Sequence, residues 1–418
     1  MKKIGIISLG CPRNLVDSEE ILGRLKLKGF KITDLNKAQV GLVNTCAFID
    51  EAKQESIDTI LGLVKLKKDK LLEKIIVYGC LVQRYGDKLR RELPEVDAFV
   101  GRVELEEKVD RFPLTPKHFA YLKICESCLN RCSYCVIPHI KGKFKSLSEE
   151  LLLKKAQSLV RSGVVELNIV GQDSSGYGVD LYKKYHLASL VRRICKEVEA
   201  VQWVRLLYLY PSRVNDELLE VIRSEPKVCK YLDLPIQHIN RKVLELMNRH
   251  TNPQDIKSLI DRVRLKVPGI ALRTSIITGF PQETEAAFKE LCGFVSQVKF
   301  ERLGVFIYSA QEGTQALKLK GQIPKKVKLE RFNHLMQLQQ AVALSVNKQF
   351  LHRKMEVIID EKDTQAGEGR YLGRTRFDAP EVDGQVYVHS KTKLKPGMIV
   401  PVEITDTLEY DLVGEALR

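Results

Sequence analysis

Cys128-Leu-Asn-Arg-Cys132-Ser-Tyr-Cys135 places three cysteines at the spacing C-x3-C-x2-C, with an aromatic just before the last. Three thiolates can hold three irons of a cubane iron–sulfur cluster and leave the fourth iron open to a small molecule. A four-thiolate site has no such opening. Cys125 extends the run to two C-x2-C pairs and invites a zinc-ribbon reading. Ribbons normally part their knuckles by a longer loop, and the short stretch here would cramp a tetrahedral site. The bacterial ferredoxin order, C-x2-C-x2-C-x3-C, differs. A three-thiolate cluster is therefore expected, with Cys125 a spare core thiol.

Outward from this loop the chain reads as strand–helix units. Strands are expected at 121–124, Glu166–Val170, 204–209, 231–234, 272–278 and 303–308, with amphipathic stretches at Glu149–Arg161, 188–198 and 283–298 between them. About six such units predict a partial barrel, short of the eight of a closed one. The cluster loop follows the first strand, at the carboxyl end where active sites of such barrels sit. Helix-forming residues 325–353 lead out of this region.

The first hundred residues carry the same rhythm. Lys3–Ser8, 40–44 and 74–78 are Ile/Val-rich runs, each followed by a polar, helix-like stretch. Such alternation predicts a parallel α/β sheet. Cys11, Cys46 and Cys80 each fall just beyond one of these strands. Loops at the carboxyl ends of an open parallel sheet gather along one edge, so these three cysteines should converge. Three buried core thiols are the alternative. Pro113 and Pro116 mark a linker. At the other end, 355–360, 369–375, 385–389 and 399–406 alternate apolar and polar residues between turns, the pattern of a small antiparallel β-barrel. The expected divisions are 1–115, 116–351 and 352–418.

The 418 residues are 44% hydrophobic and 29% charged, the composition of a soluble globular protein. No apolar run approaches a membrane span, so no membrane association is expected. The opening MKKIGIISLG has too short an apolar stretch for a secretory signal. Ten cysteines without such a signal point to a reducing cytoplasm and metal binding. The net charge of +15 is uneven: residues 116–351 carry 37 basic and 22 acidic side chains, and 352–418 carry 10 and 13. A basic surplus can steer nucleic acid or ribosome surfaces, though a lysine-rich solvated surface looks the same.

The segments ISLGCPRNLVDSE (7–19), NTCAFI (44–49), YGC (78–80), LPIQH (234–238), LRTSIITGFPQET (272–284) and GRTRFDAPEVDG (373–384), with the C-x3-C-x2-C run, resemble the radical S-adenosylmethionine methylthiotransferase family. The resemblance spans the whole chain and is closest to the ribosomal-protein branch. It implies that Cys128, Cys132 and Cys135 hold a radical-generating [4Fe-4S] cluster. It implies that Cys11, Cys46 and Cys80 hold a second, auxiliary [4Fe-4S] cluster that carries the sulfur. S-adenosylmethionine would serve as methyl donor and as radical source. The implied substrate is an aspartate β-carbon in small ribosomal subunit protein number twelve, free or in the assembled ribosome. Flavodoxin or ferredoxin would supply electrons, and the terminal barrel would be TRAM-like. The β-carbon carries no readily removed acidic proton, which is the chemical reason for a radical cofactor.

Several residues carry narrower expectations. Tyr134 could pack on the adenine of S-adenosylmethionine, and Gln172, Asp173 and Gly279, at strand ends, could contact it. Ser127 stands where the family usually has glycine, and Cys125 where it has serine. Lysines replace family arginines after Ile140, losing the bidentate fork. His238 reads as a hydrogen-bonded core residue, and Cys195, Cys229 and Cys292 as packing. Asp378, Glu381 and Asp383 are expected at an exposed turn that docks a basic substrate protein, since the terminal segment is net acidic. A tRNA methylthiotransferase is the alternative function. A non-catalytic iron–sulfur or zinc scaffold is the alternative from another class.

Overall fold

The computed structural model describes residues 2–102, 111–365 and 367–417. An amino-terminal sheet comprises β1 (Lys3–Ser8), β2 (Lys31–Ile32), β3 (Val40–Thr45), β4 (Lys74–Gly79) and β5 (Ala98–Val100), in the order β2-β1-β3-β4-β5. All its pairings are parallel. Every residue of β3 is buried, as a central strand covered on both faces must be. Helices Pro12–Leu27, Asp50–Lys68 and Cys80–Glu92 follow β1, β3 and β4. The edge strands β2 and β5 were not expected; two or three residues give too short a pattern to read.

The central sheet starts at β6 (Phe119–Lys123). A two-residue pair, β7 (Cys125–Glu126) and β8 (Lys145–Ser146), then closes antiparallel around the three-cysteine loop. β9 (Glu166–Val170), β10 (Trp203–Leu206), β11 (Val228–Asp233), β12 (Ala271–Thr278) and β13 (Arg302–Ile307) complete a six-stranded sheet ordered β13-β12-β11-β10-β9-β6. Its pairings are parallel throughout. The six expected strands all form, each within three residues of the expected bounds. Helices cover the outer face, where Leu122, Leu152, Leu167, Leu190, Leu206 and Leu232 join one buried core. Helix Glu149–Arg161 begins where Ser148 accepts from the Leu151 N–H, carries Glu149 and Glu150 in its first turn and ends on Arg161, as the helix dipole favours.

Helix Lys325–Asn347 leads to a closed barrel of β14 (Lys354–Lys362), β15 (Arg370–Thr375), β16 (Val386–His389), β17 (Ile399–Thr407) and β18 (Leu412–Ala416), ordered β14-β15-β16-β18-β17. Two features differ from the sequence reading. β18 was not anticipated, and it pairs with β16 in parallel, so the barrel is not purely antiparallel. Closure requires this extra strand, because an open sheet would leave edges unpaired. No described helix is long and apolar enough to cross a membrane.

The segment between β15 and β16 corrects the docking expectation. Asp378 and Asp383 do not project into solvent but turn toward the central sheet, whereas Glu381, as expected, and Val382 at the tip of the turn are exposed. Asp378 is 2% exposed and accepts from Arg302 Nε at 2.8 Å. The Asp383 carboxylate accepts from Tyr231 Oη at 2.6 Å and from Arg273 Nε at 3.2 Å. Glu381 is exposed, and its carboxylate accepts from Tyr121 Oη at 2.8 Å. Acidic residues at a turn suggested a surface because buried carboxylates are rare; here each finds a partner on a central strand. Arg374 bridges Glu166 at 2.8 Å and Asp360 at 2.8 Å, adding to the same buried joint.

Candidate functional site: two thiol triads at adjoining sheet edges

β1, β3 and β4 are neighbours, and their carboxyl ends bring Cys11, Cys46 and Cys80 together. Cys11 caps helix Pro12–Leu27, Cys46 directly follows β3, and Cys80 opens helix Cys80–Glu92. A Cβ built on Gly10 would lie 2.9 Å from the Cys46 Cβ, so the loops touch. Gly79 turns the chain into Cys80 with φ 101°; a side chain there would meet Asn44 Oδ1 at 2.4 Å. A buried polar net fixes the loops from below. Asn14 Nδ2 donates to Leu9 O and Thr45 O, both at 3.2 Å. Asn44 Nδ2 donates to Asn14 O at 2.7 Å and to Ser18 Oγ at 2.9 Å, and Tyr78 Oη donates to Ser18 Oγ at 2.9 Å.

Charge differentiates these thiols. Burial pushes Cys11 up, but the Arg13 guanidinium, whose Nε donates to Cys11 Sγ at 3.4 Å, and an Asn14 backbone contact bring it below the ordinary thiol value. Burial raises Cys46, and it raises Cys80 to about 12. Metal or cluster binding must therefore displace protons that burial would otherwise retain.

The second triad lies in the loop after β6. Cys128, Cys132 and Cys135 are close enough to interact electrostatically; burial lifts Cys128 to about 11 and Cys135 to about 12. Asn130 offers both its backbone N–H and its side-chain Nδ2 to Cys128 Sγ at 3.4 Å. Ser133 Oγ donates to Leu246 O at 2.6 Å, and Ala316 N donates to Ser133 O at 2.8 Å, clamping the loop from two sides. Among the described residues no three or more His, Cys, Asp or Glu side chains are drawn in as a bare metal ion needs. A cubane holds its thiolates on separate irons, so its ligands stand farther apart than those of one ion.

Arg13 lies between the two triads, bonded to Cys11 and near enough for its charge to act on Cys135. Its Nη1 donates to Gly171 O, just past β9, at 3.0 Å, and its guanidinium stacks 4.2 Å from the Tyr208 ring centroid. Tyr208 is a bulky residue with φ 61°, beyond the end of β10. Such backbones cost roughly 1–3 kcal/mol and are concentrated at functional sites. Beside Arg13 lies a buried quartet. Lys123 Nζ contacts Asp17 and Glu126 Oε2, the latter at 2.8 Å; Lys141 Nζ contacts Glu126 Oε1 at 3.0 Å and Asp17 Oδ2 at 3.3 Å. Burial opposes ionisation of Glu126, yet Lys123 and Lys141 hold it well below the carboxylate range. Lys141, one of the lysines standing for a family arginine, thus serves the joint between the two sheets.

The other sequence-selected residues divide. Asp173 is buried, paired with Arg213, and accepts from Asn130 Nδ2 at 3.0 Å, so it orients the cluster loop. Gln172 Nε2 reaches Glu126 Oε1 at 3.4 Å, while Gln172 Oε1 is buried without a partner. Ser174 Oγ and Arg249 Nε are likewise buried and unpartnered near this loop. These orphaned atoms fit a polar ligand such as S-adenosylmethionine. Tyr134 packs edge-on against Phe280, centroids 6.3 Å apart, within an apolar cluster. Gly279 has φ 71°, and a side chain there would strike Lys328 Cγ at 2.3 Å. A tight turn against a lysine stem is thus what it builds.

Cys125 is fully buried with Sγ 3.7 Å from Asp173 O, a core thiol beneath the loop. Ser127 takes φ 65°, where the family's glycine would be unstrained, and its Oγ donates to Gly142 O at 2.6 Å. His238 is buried, its Nδ1 accepts from Asn240 N at 2.9 Å, and burial beside Arg331 depresses it to about 3. The sequence reading passed over Arg13, Asn14, Ser18, Asn130 and Tyr208. A signal existed: Asn14 and Ser18 share one helix face at i, i+4 and point polar groups at a sheet.

Residues 3–101 match the model of the uncharacterized protein family UPF0004, 122–295 that of the radical SAM superfamily and 353–417 that of the TRAM domain. The ribosomal protein uS12 methylthiotransferase RimO of Thermoanaerobacter sp. (strain X514) is 44% identical over 99% of this chain and 100% of its own length. RimO of Caldanaerobacter subterraneus subsp. tengcongensis is 45% identical with the same coverage. In fold the chain resembles the radical S-adenosylmethionine methyltransferase TsrM of Kitasatospora setae, with TM-score 0.53 and 12% identity over 85% of this chain and 80% of that one. The tRNA-modifying alternative is not favoured by these relatives. Full-length identity at this level, with the thiol loops on adjoining sheet edges, establishes that the chain belongs to the RimO family of radical S-adenosylmethionine methylthiotransferases.

Proposed function

We propose that this chain adds a methylthio group to the β-carbon of an aspartate in ribosomal protein uS12, using S-adenosylmethionine and two [4Fe-4S] clusters. The observation that supports the reading is that each three-cysteine set draws together, with Arg13 bonded to Cys11 and within electrostatic reach of Cys135. Cys128, Cys132 and Cys135 would hold the cluster with the open iron; Cys11, Cys46 and Cys80 would hold the auxiliary one. When bound, the first cluster and S-adenosylmethionine supply a radical able to abstract hydrogen from an unactivated carbon.

The chain's own residues do the rest. Asn130 donates to Cys128 Sγ and, through Asp173 and Arg213, fixes the loop that presents the open corner. Gln172 and Ser174 offer buried polar atoms to S-adenosylmethionine. Arg13 places positive charge on Cys11 and favours its thiolate over its thiol. The Asp17–Lys123–Glu126–Lys141 quartet keeps the two sheets in register, so the two clusters hold a set separation. We assign 1–115 to the auxiliary cluster, 116–351 to radical generation and 352–418 to a terminal TRAM-type barrel that seals the barrel floor.

The test compares cells with and without the gene. Intact-mass analysis of ribosomal proteins should show uS12 heavier by one methylthio group less one hydrogen only when the gene is present. A change confined to the tRNA nucleoside profile would move the assignment to the tRNA enzyme.

A further inference from the structure

We infer that Arg13, with Tyr208 beside it, binds the side-chain carboxylate of the substrate aspartate and so sets the β-carbon between the two thiol triads. This rests on the proposed function, which supplies that aspartate. The cations around Arg13 are already matched: Lys123 and Lys141 by Asp17 and Glu126, Arg213 by Asp173, and Arg273 by Asp233. Arg13 has no carboxylate partner among the described residues. Its Nε is turned to Cys11 Sγ and its Nη1 to Gly171 O, while Nη2 has no hydrogen-bond partner among those residues. The Tyr208 ring lies under the guanidinium, and the Tyr208 hydroxyl likewise has no partner among the described residues. Both side chains are partly exposed. The left-handed backbone of Tyr208 is held on both sides: its N donates to Asp233 Oδ2 at 2.9 Å, and its O accepts from Ser174 N at 2.9 Å. A backbone kept in such a conformation by its surroundings points to a use for the side chain it aims.

The chemistry of the target calls for such a pair. A radical able to take hydrogen from an unactivated carbon does not itself choose among the C–H bonds of a protein, so the choice must come from positioning. The carboxylate is bonded directly to the β-carbon, and holding one holds the other. A guanidinium suits the task, because its planar fork matches a carboxylate and it stays charged at any working pH. The phenol adds an uncharged donor beside it. Arg13 is bonded to Cys11, and its charge reaches Cys135. A carboxylate on Arg13 therefore lies between the thiols assigned to sulfur and those assigned to the radical. The approach is open. Arg273, whose charge reaches the Tyr208 phenol, shares its face of β12 with Ser275 and Ile277, and all three are partly exposed. Phe306, the partner of Ile277 on β13, is 51% exposed, so a side chain can enter over this face. Asparagine has nearly the shape of aspartate without its charge, and a site built on Arg13 should reject it.

The test is a cycle of affinities between reconstituted enzyme and purified uS12, either unaltered or with its target Asp replaced by Asn. Wild-type enzyme should bind the Asp form roughly tenfold more tightly than the Asn form, the worth of a charge-assisted pair. Arg13→Gln should bring that ratio to about one, and Arg13→Lys, which keeps the charge, should retain part of it. Tyr208→Phe keeps the ring under the guanidinium and should lower the ratio roughly threefold; it carries the test if Arg13→Gln does not take up its clusters. A merely structural role for Arg13 would weaken binding of both forms and leave their ratio as in wild type. That result would overturn the inference, as would wild-type enzyme that does not distinguish the two forms. Wild-type enzyme that leaves uS12 without a methylthio group, whatever its affinity, would instead overturn the proposed function.

Discussion

Ser127 illustrates how one side chain can compensate for an awkward backbone. A non-glycine residue at φ 65° is strained, and the 2.6 Å bond to Gly142 O offsets part of that strain. Ser127→Ala should keep the strain and lose the bond, costing about 1 kcal/mol, whereas Ser127→Gly should lose the bond but relieve the backbone and stay within about 0.5 kcal/mol of wild type. Urea unfolding of the two variants side by side measures the difference. His238 gives a pH signature. Its folded value of about 3 lies below the ordinary 6.5, so between these values the unfolded chain binds the extra proton. Stability is therefore full above about pH 6.5 and falls as pH drops, by up to about 1.4 kcal/mol per unit from this group. His238→Gln should flatten that slope in urea titrations between pH 7 and pH 5. An unflattened slope would assign it to other groups. The cysteines were legible at this scale because their spacing is local. Arg13 was not, since its meaning depends on Gly171 and Tyr208, far away in sequence.

Strands and helices were legible wherever a strand was long enough to show its pattern. β9 and helix Glu149–Arg161 fall within the bounds expected from apolar period alone. The strand-end positions of Cys11, Cys46 and Cys80 also followed from that pattern, because a parallel sheet leaves little freedom in where its loops emerge. Asp378 and Asp383 were misread for a physical reason: a buried ion pair and an exposed acidic turn have the same local sequence. Its burial now makes a different prediction. Asp378→Asn would leave Arg302 charged and without its carboxylate on the floor of the barrel. The expected loss is roughly 3–5 kcal/mol of stability, read as a lowered melting temperature. A neutral result would mean that water reaches Arg302 and the turn is loosely seated.

At the scale of the molecule, the three parts are coupled through charge as well as apolar contact. The lower joint, Glu166–Arg374–Asp360 with Arg205, ties the terminal barrel to the central sheet, and the upper joint, Asp17–Lys123–Glu126–Lys141, ties the amino-terminal sheet to it. The upper joint lies beside both triads, so in the proposed function sulfur delivery and radical generation fall to two separate but adjoining sets of thiols. The direct test is one reaction in which deoxyadenosine and methylthio-uS12 are both quantified, using reconstituted Cys11→Ala/Cys46→Ala/Cys80→Ala and Cys128→Ala/Cys132→Ala/Cys135→Ala variants with dithionite. The first should still release deoxyadenosine and form no methylthio product, and the second should do neither. Equal release of deoxyadenosine by both variants would contradict the account.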